Sequence, residues 1–131
     1  MVKIMIAEDD LIIADMIEED LLKSGYDVCS IARTVQEGLE LNNQYSPEFA
    51  IIDFRLADEF GTDIIAGLDR KHTAVLLASG NCDYARDKTF GDACLAKPYS
   101  ITVLKCCIEI VRKYHQSGEL PAQFPFGFRI L

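Results

Sequence analysis

The chain has 131 residues, one domain's worth of protein and enough to bury a core without staples. Half of the residues are apolar and 26% are charged, a balance that excludes a disordered chain. Thirteen Lys and Arg stand against 21 Asp and Glu, a formal net charge of -8 that repels nucleic-acid phosphates and anionic lipid, so neither nucleic acid nor membrane is an expected partner.

The chain opens on an apolar run, Val2 to Ala7, broken only by Lys3, which suits a strand buried on both faces. Glu8, Asp9 and Asp10 follow, and Leu11 to Lys23 carries helical periodicity, with Ile13, Ala14, Ile17 and Leu21 on the core side and Gly25 placed to stop the helix. Val28 to Ala32 predicts a second strand and Val35 to Gln44 a second helix, closed by Ser46 and Pro47. Phe49 to Ile52 predicts a third strand, ending in Asp53. Gly61 to Leu68 is a short helix and Thr73 to Ala78 a fourth strand. The stretch from Ser79 to Gly91 is polar and weakly periodic, so the fourth helix is expected to be short or irregular. Ala93 to Ala96 is a fifth strand, Pro98 a break, and Ile101 to Tyr114 the last helix.

Strand and helix thus alternate five times. This predicts an α/β fold with a doubly wound, five-stranded parallel sheet and helices on both faces. Residues 1–117 form the domain, and 118–131 form a tail in which Leu120, Phe124, Phe126, Phe128, Ile130 and Leu131 sit among prolines and a glycine. Such a tail folds back on its own domain, or serves as a dimer or partner contact, or leads as a linker into a further domain.

Five cysteines, Cys29, Cys82, Cys94, Cys106 and Cys107, form no CxxC pair, and their spacing argues against both a disulfide and a zinc site. Packing roles are expected for all five, with Cys106 and Cys107 on opposite sides of the last helix. An odd cysteine count without a charged, apolar leader, and apolar stretches too short to span a bilayer, give a cytoplasmic expectation.

In open parallel sheets, ligands sit outside the carboxyl ends of the strands. That rim receives Glu8 and Asp9 after the first strand, Asp53 after the third, Ser79 after the fourth and Lys97 after the fifth. Three crowded carboxylates raise one another's pKa unless a cation joins them, and hard oxygen ligands of this kind suit Mg2+. Asp53 is the candidate nucleophile, because a carboxylate accepts a phosphoryl group as an aspartyl phosphate. Lys97 offers a positive charge and Ser79 a hydroxyl donor to the phosphoryl oxygens.

These residues, in this order, resemble the receiver domain of response regulators, the CheY-like phosphoacceptor of two-component signalling. The acidic pair corresponds to Glu8 and Asp9, the phosphorylated aspartate to Asp53, the hydroxyl residue to Ser79 with the small Gly80 after it, and the Lys-Pro pair to Lys97 and Pro98. Gly61 matches the glycine of the loop after the phosphorylation site. The resemblance runs from about Val2 to Tyr114. It implies the flavodoxin-like strand order 2-1-3-4-5, a cis bond before Pro98, and Mg2+ held by Glu8, Asp9, Asp53 and the backbone carbonyl of Arg55.

Four positions depart from the family pattern. Ala57 stands for a frequent proline, and Phe60 for an acidic or small residue. The Arg55 side chain overhangs the pocket, where it tunes access of hydrolytic water. Cys94 occupies the place of the switch aromatic, so a swinging ring coupled to Ser79 is not expected, and Tyr99 either leans over the pocket or packs under the last helix. Leu77, Ala78, Ser79 and Gly80 resemble the Phe-Ala-Thr-Gly stretch of a divergent alphaproteobacterial receiver group, often stand-alone regulators.

The resemblance implies a phosphorylation-controlled binding module. It would take a phosphoryl group from a sensor histidine kinase or histidine phosphotransfer protein, lose it slowly by hydrolysis, and switch a surface read by a downstream protein partner. No output domain follows, so output is expected by protein contact or onward phosphotransfer, with a homodimer through the last helix or tail as one form. The alternatives are a receiver-fold scaffold indifferent to phosphorylation, or the receiver part of a longer regulator. A haloacid-dehalogenase-type phosphatase would need an acidic residue where Arg55 stands, and nucleotide binding lacks any GxGxxG or Walker A sequence.

Overall fold

The computed structural model describes residues 1–84 and 91–131. Its strands and helices are β1 (Lys3–Ala7), α1 (Leu11–Lys23), β2 (Asp27–Ala32), α2 (Val35–Tyr45), β3 (Phe49–Asp53), β4 (Arg55–Leu56), β5 (Glu59–Phe60), α3 (Thr62–Ile65), β6 (Ala74–Ser79), β7 (Ala93–Ala96), α4 (Ile101–Ser117) and β8 (Phe128–Ile130). One 3-10 turn, Cys82–Tyr84, follows β6. The remainder of the expected fourth helix lies outside the described residues.

The main sheet has the order β2-β1-β3-β6-β7-β8. Its first five strands are parallel and reproduce the expected 2-1-3-4-5 arrangement. Two features depart from the sequence expectation. The sheet has a sixth strand, because the tail returns antiparallel along β7 with Leu95 opposite Phe128 and Ala93 opposite Ile130. A small hairpin, β4–β5, follows Asp53.

Alternation along the strands divides the core into two layers. Ile4, Ile6, Phe49, Ile51, Leu76 and Leu95 face α1 and α4, meeting Ile17, Leu21, Leu104, Ile108 and Val111. Met5, Ala50, Ile52, Val75, Leu77 and Cys94 face the other way, toward Ile64, Ile65 and Leu68. Every residue of β3 is buried, as a central strand covered on both faces requires. On α1, Ala14, Ile17 and Leu21 are buried, but Ile13 is exposed. Ile13 lies in the first turn of the helix, where it lines an open apolar pocket with Met16 and Ile101 instead of packing into the core.

The helix ends carry caps that aim the chain at the strand-end rim. Asp10 caps α1, its Oδ1 accepting from the amides of Ile12 and Ile13 at 3.0 and 3.3 Å. Glu8 and Asp9 are thereby left for other work. Gly25, at φ +91°, closes the far end of α1 with its amide on the Leu22 carbonyl. Ser100 caps α4 through the Val103 amide.

Candidate functional site

The carboxyl ends of β1, β3, β6 and β7 bring Glu8, Asp9, Asp53, Ser79 and Lys97 to one rim. Backbone bonds fix their spacing. The Glu8 amide donates to the Ala32 carbonyl at 2.9 Å, the Phe54 amide to the Ala78 carbonyl at 2.8 Å, and the Lys97 amide to the Ser79 carbonyl at 2.8 Å. The bond between Lys97 and Pro98 is cis.

Glu8, Asp9 and Asp53 each present a carboxylate oxygen within 4.8 Å of the others. Glu8 and Asp53 are buried and Asp9 is half-buried. Lys97 is their counter-charge, with Nζ 2.7 Å from Asp53 Oδ2 and 3.5 Å from Glu8 Oε2. Burial, together with the hydrogen bond and negative charge of Asp53, pushes the Glu8 carboxyl up to about 7, against a partial downward pull from Lys97. Burial alone would lower the Lys97 ammonium, but the bond to Asp53 and the charges of Asp53 and Glu8 prevail and raise it. The cluster therefore carries more negative charge than its own cation offsets. Its donors are hard oxygens, which fits a divalent cation joining the three carboxylates.

Asp53 opens onto a pocket of about 490 Å3 lined by Phe54, Arg55, Ser79, Gly80, Asn81 and Lys97. Ser79 Oγ accepts from the Asn81 amide at 3.0 Å, so its hydroxyl is held within its own turn. Asn81 is a pocket residue that sequence reasoning missed, since an asparagine in a polar stretch carries no signal of its own.

The hairpin after Asp53 contributes a second missed element. The Ala57 amide donates to Asp9 Oδ2 at 2.9 Å. Ala57 holds φ +55°, a left-handed conformation uncommon for a residue with a Cβ. It orients Asp9 from across the rim. Gly61 is dictated by a close crossing, because a Cβ there would lie 1.9 Å from the Asp53 carbonyl oxygen. Its amide donates to the Phe54 carbonyl at 2.8 Å, locking the hairpin against the end of β3.

Three expected tuning residues take definite places. Arg55 lines the pocket, but its guanidinium lies over the Phe60 ring, 5.0 Å from the centroid, rather than across the Asp53 carboxylate. Phe60 in turn meets Phe54 edge-on at 5.8 Å. Tyr99 packs against the layer of α1 and α4 and lines an apolar pocket with Ile13, Met16 and Ile101. Burial pushes its phenol up to about 12.

Cys94 corrects the sequence reading. It is buried on β7 and disulfide-bonded to Cys82, with Cα atoms 6.0 Å apart. The spacing argument looked for adjacent motifs, whereas β6 and β7 lie side by side and bring two distant cysteines together. Cys29, Cys106 and Cys107 are free thiols. Cys107 is buried and Cys106 exposed, on opposite sides of α4 as the periodicity requires.

No helix among the described residues is long and apolar enough to cross a membrane. No family model matches the sequence. The chain is 32% identical over 114 residues to the transcriptional regulatory protein PdtaR of Mycobacterium tuberculosis, a match covering 82% of this chain and 55% of that protein. It therefore spans about half the length of such curated relatives. Among solved structures, the receiver domain of the Francisella response regulator 1452 is 26% identical with a TM-score of 0.73, over 86% of this chain and 98% of that one. A CheY-like receiver domain from Methanospirillum hungatei superposes with a TM-score of 0.79 at 23% identity, over 91% and 99% of the two chains. With its strand order, acidic triad and cis Lys97–Pro98 bond, the chain has the fold of the CheY-like response-regulator receiver domains.

Proposed function

We propose that this domain accepts a phosphoryl group on Asp53 with Mg2+ at the acidic rim, and passes the change to a protein partner. The observation that carries the reading is the Lys97 ammonium 2.7 Å from Asp53, beside carboxylate oxygens of Glu8 and Asp9. In the transfer, an Asp53 carboxylate oxygen forms a bond to phosphorus while the bond from phosphorus to the donor breaks, and the donor leaves with that electron pair. Asp53 is the nucleophile, and Lys97 and the Ser79 hydroxyl bind the phosphoryl oxygens. Glu8 and Asp9, with Asp53 and the Arg55 carbonyl, would hold Mg2+, which when bound neutralises charge on those oxygens.

The expected donor is a phosphohistidine of a sensor kinase or phosphotransfer protein. The read-out surface is the segment after Ser79 with β7 and α4, where new charge at Asp53 is felt first. Our reading of the chain as one of the divergent alphaproteobacterial receiver group rests on Ala78 and Gly80, with Leu77 in place of the Phe and Ser79 in place of the Thr.

Intact-mass measurement after incubation with Mg2+ and acetyl phosphate tests the reading. A gain of about 80 Da, one phosphoryl group on one carboxylate, is expected in the parent and absent from Asp53→Asn or without Mg2+. An equal gain in Asp53→Asn overturns the assignment.

A further inference from the structure

We propose that Cys82 and Cys94 form a redox modification site that governs how readily the Ser79 turn closes over Asp53. Its consequence for phosphorylation rests on the phosphoacceptor reading above; the thiol chemistry does not. The argument begins with position. Cys94 lies on β7 opposite Leu77 of β6, three residues before Lys97. Cys82 opens the 3-10 turn three residues after Ser79. The bond therefore welds the chain leaving Ser79 to the strand that delivers Lys97. Both sulfurs belong to the layer of Val75 and Leu77, away from α1 and α4.

To serve a phosphoryl group Ser79 donates its hydroxyl proton toward Asp53, and the orientation of that hydroxyl is tied to its own turn. Its Oγ accepts from the Asn81 amide, and the same short turn runs directly into Cys82. With Cys82 bonded to β7, the turn is anchored at Ser79 by the sheet, at Cys82 by the bridge and at Asp83 by the Arg129 guanidinium of β8, 2.7 Å away. A hydroxyl held in this way closes over Asp53 less readily. Reduction removes the covalent one of these anchors.

The site also has a way in. Cys82 is flanked by exposed Asn81 and Asp83, with the Asp83 amide on Asn81 Oδ1 at 3.0 Å. Local opening of the chain around Asn81–Asp83 presents the sulfur, and such local opening costs less than global unfolding. Thiol–disulfide exchange then balances with a small disulfide of the glutathione class as oxidant. The Cys82 thiolate attacks one of its sulfurs and releases one small thiol. The Cys94 thiolate next attacks the Cys82 sulfur and releases the second. Two protein thiols are oxidised, one small disulfide is reduced to two thiols, and the two protons pass to the departing thiolates.

The test uses the full chain, equilibrated with oxidised or reduced glutathione, quenched with acid, then alkylated in denaturant so that buried thiols react, and weighed intact. Three alkylatable thiols are expected in the oxidised form and all five in the reduced form. Labelling by acetyl phosphate with Mg2+ should be slower in the oxidised form by about fivefold, the lower end of ordinary site-to-site coupling. Amide exchange over Ser79–Asp83 should be slower as well. Both differences should vanish in Cys82→Ser, which alters the turn and leaves the buried β7 position intact, and in Cys94→Ala. Five reactive thiols in the oxidised buffer would overturn the site. Three thiols with equal exchange over Ser79–Asp83 in both forms would overturn the control. Should neither form be phosphorylated, the phosphoacceptor reading fails by itself, and the exchange comparison still decides the redox proposal.

Discussion

Lys97 Nζ sits 2.7 Å from Asp53 Oδ2, and no other cation lies so close to the carboxylates of the rim among the described residues. The pair joins the ends of β3 and β7 across the intervening β6. Replacing Lys97 by Met keeps the stem and removes the charge, leaving Glu8 and Asp53 to repel each other unrelieved. The metal-free chain is expected to lose about 2 kcal/mol at neutral pH, the scale of a hydrogen bond to a charged group. Urea titration reads this as a lower midpoint at unchanged slope, and an unshifted midpoint would mean that the pair contributes nothing to folding.

Glu8 sets a pH dependence of its own. Its carboxyl titrates at about 7 in the folded chain against 4.5 when unfolded. Between these values the native state holds a proton that the unfolded state has released, so stability falls as pH rises from about 4.5 to about 7. Glu8→Gln cannot release that proton and should remove this part of the slope. Urea midpoints of the two metal-free proteins across that range check the prediction, and parallel curves would contradict it.

Gly80 lines the Asp53 pocket and Gly61 crosses the Asp53 backbone, and the two should respond oppositely to a methyl group. At Gly61 the new Cβ would meet the Asp53 carbonyl at 1.9 Å, a backbone atom fixed by the sheet, whereas at Gly80 nothing lies within 4 Å. Gly61→Ala is expected to cost about 3 kcal/mol through forced backbone displacement. Gly80→Ala should stay within about 0.5 kcal/mol of the parent. Thermal or urea unfolding of the two variants distinguishes a steric crossing from a general need for flexibility.

The tail's phenylalanines are not equivalent. Phe128 is buried against the layer of α1 and α4 and meets Phe124 edge-on at 5.2 Å, whereas Phe126 is 98% exposed. Phe128→Ala should destabilise by about 3 kcal/mol, and Phe126→Ala should change stability by less than about 0.5 kcal/mol. Equal effects would mean that the strand pairing of the tail is not held by its inward side chain.

The rim was legible from sequence because each of its residues follows a short apolar run, and such runs end where a parallel sheet meets its ligands. The core of β3 was legible for a related reason: a strand covered on both faces has no polar alternation to confuse with a helix. Ile13 was misplaced because helical periodicity names a face but not how far the covering layer extends. The β4–β5 hairpin escaped because two-residue strands have no period to detect. The Cys82–Cys94 bond depends on the register between β6 and β7, which no local motif encodes. In the tail, Phe126, Phe128 and Ile130 alternate with smaller or charged residues, a strand signal in plain view. The edge it would join was the missing information.

That edge changes what can approach the sheet. Because β8 engages β7, an extended peptide adding itself to β7 finds those amides and carbonyls taken, and among the described residues the outer strands of the sheet are β2 and β8. A visitor to β7 must first displace Phe128 and Ile130, so the chain carries its own competitor for that position. On the side nearest Lys97 the outermost strand is therefore the three-residue Phe128–Ile130 of the tail, and a sheet-extending contact there would be made on the tail and not on the strand that delivers Lys97.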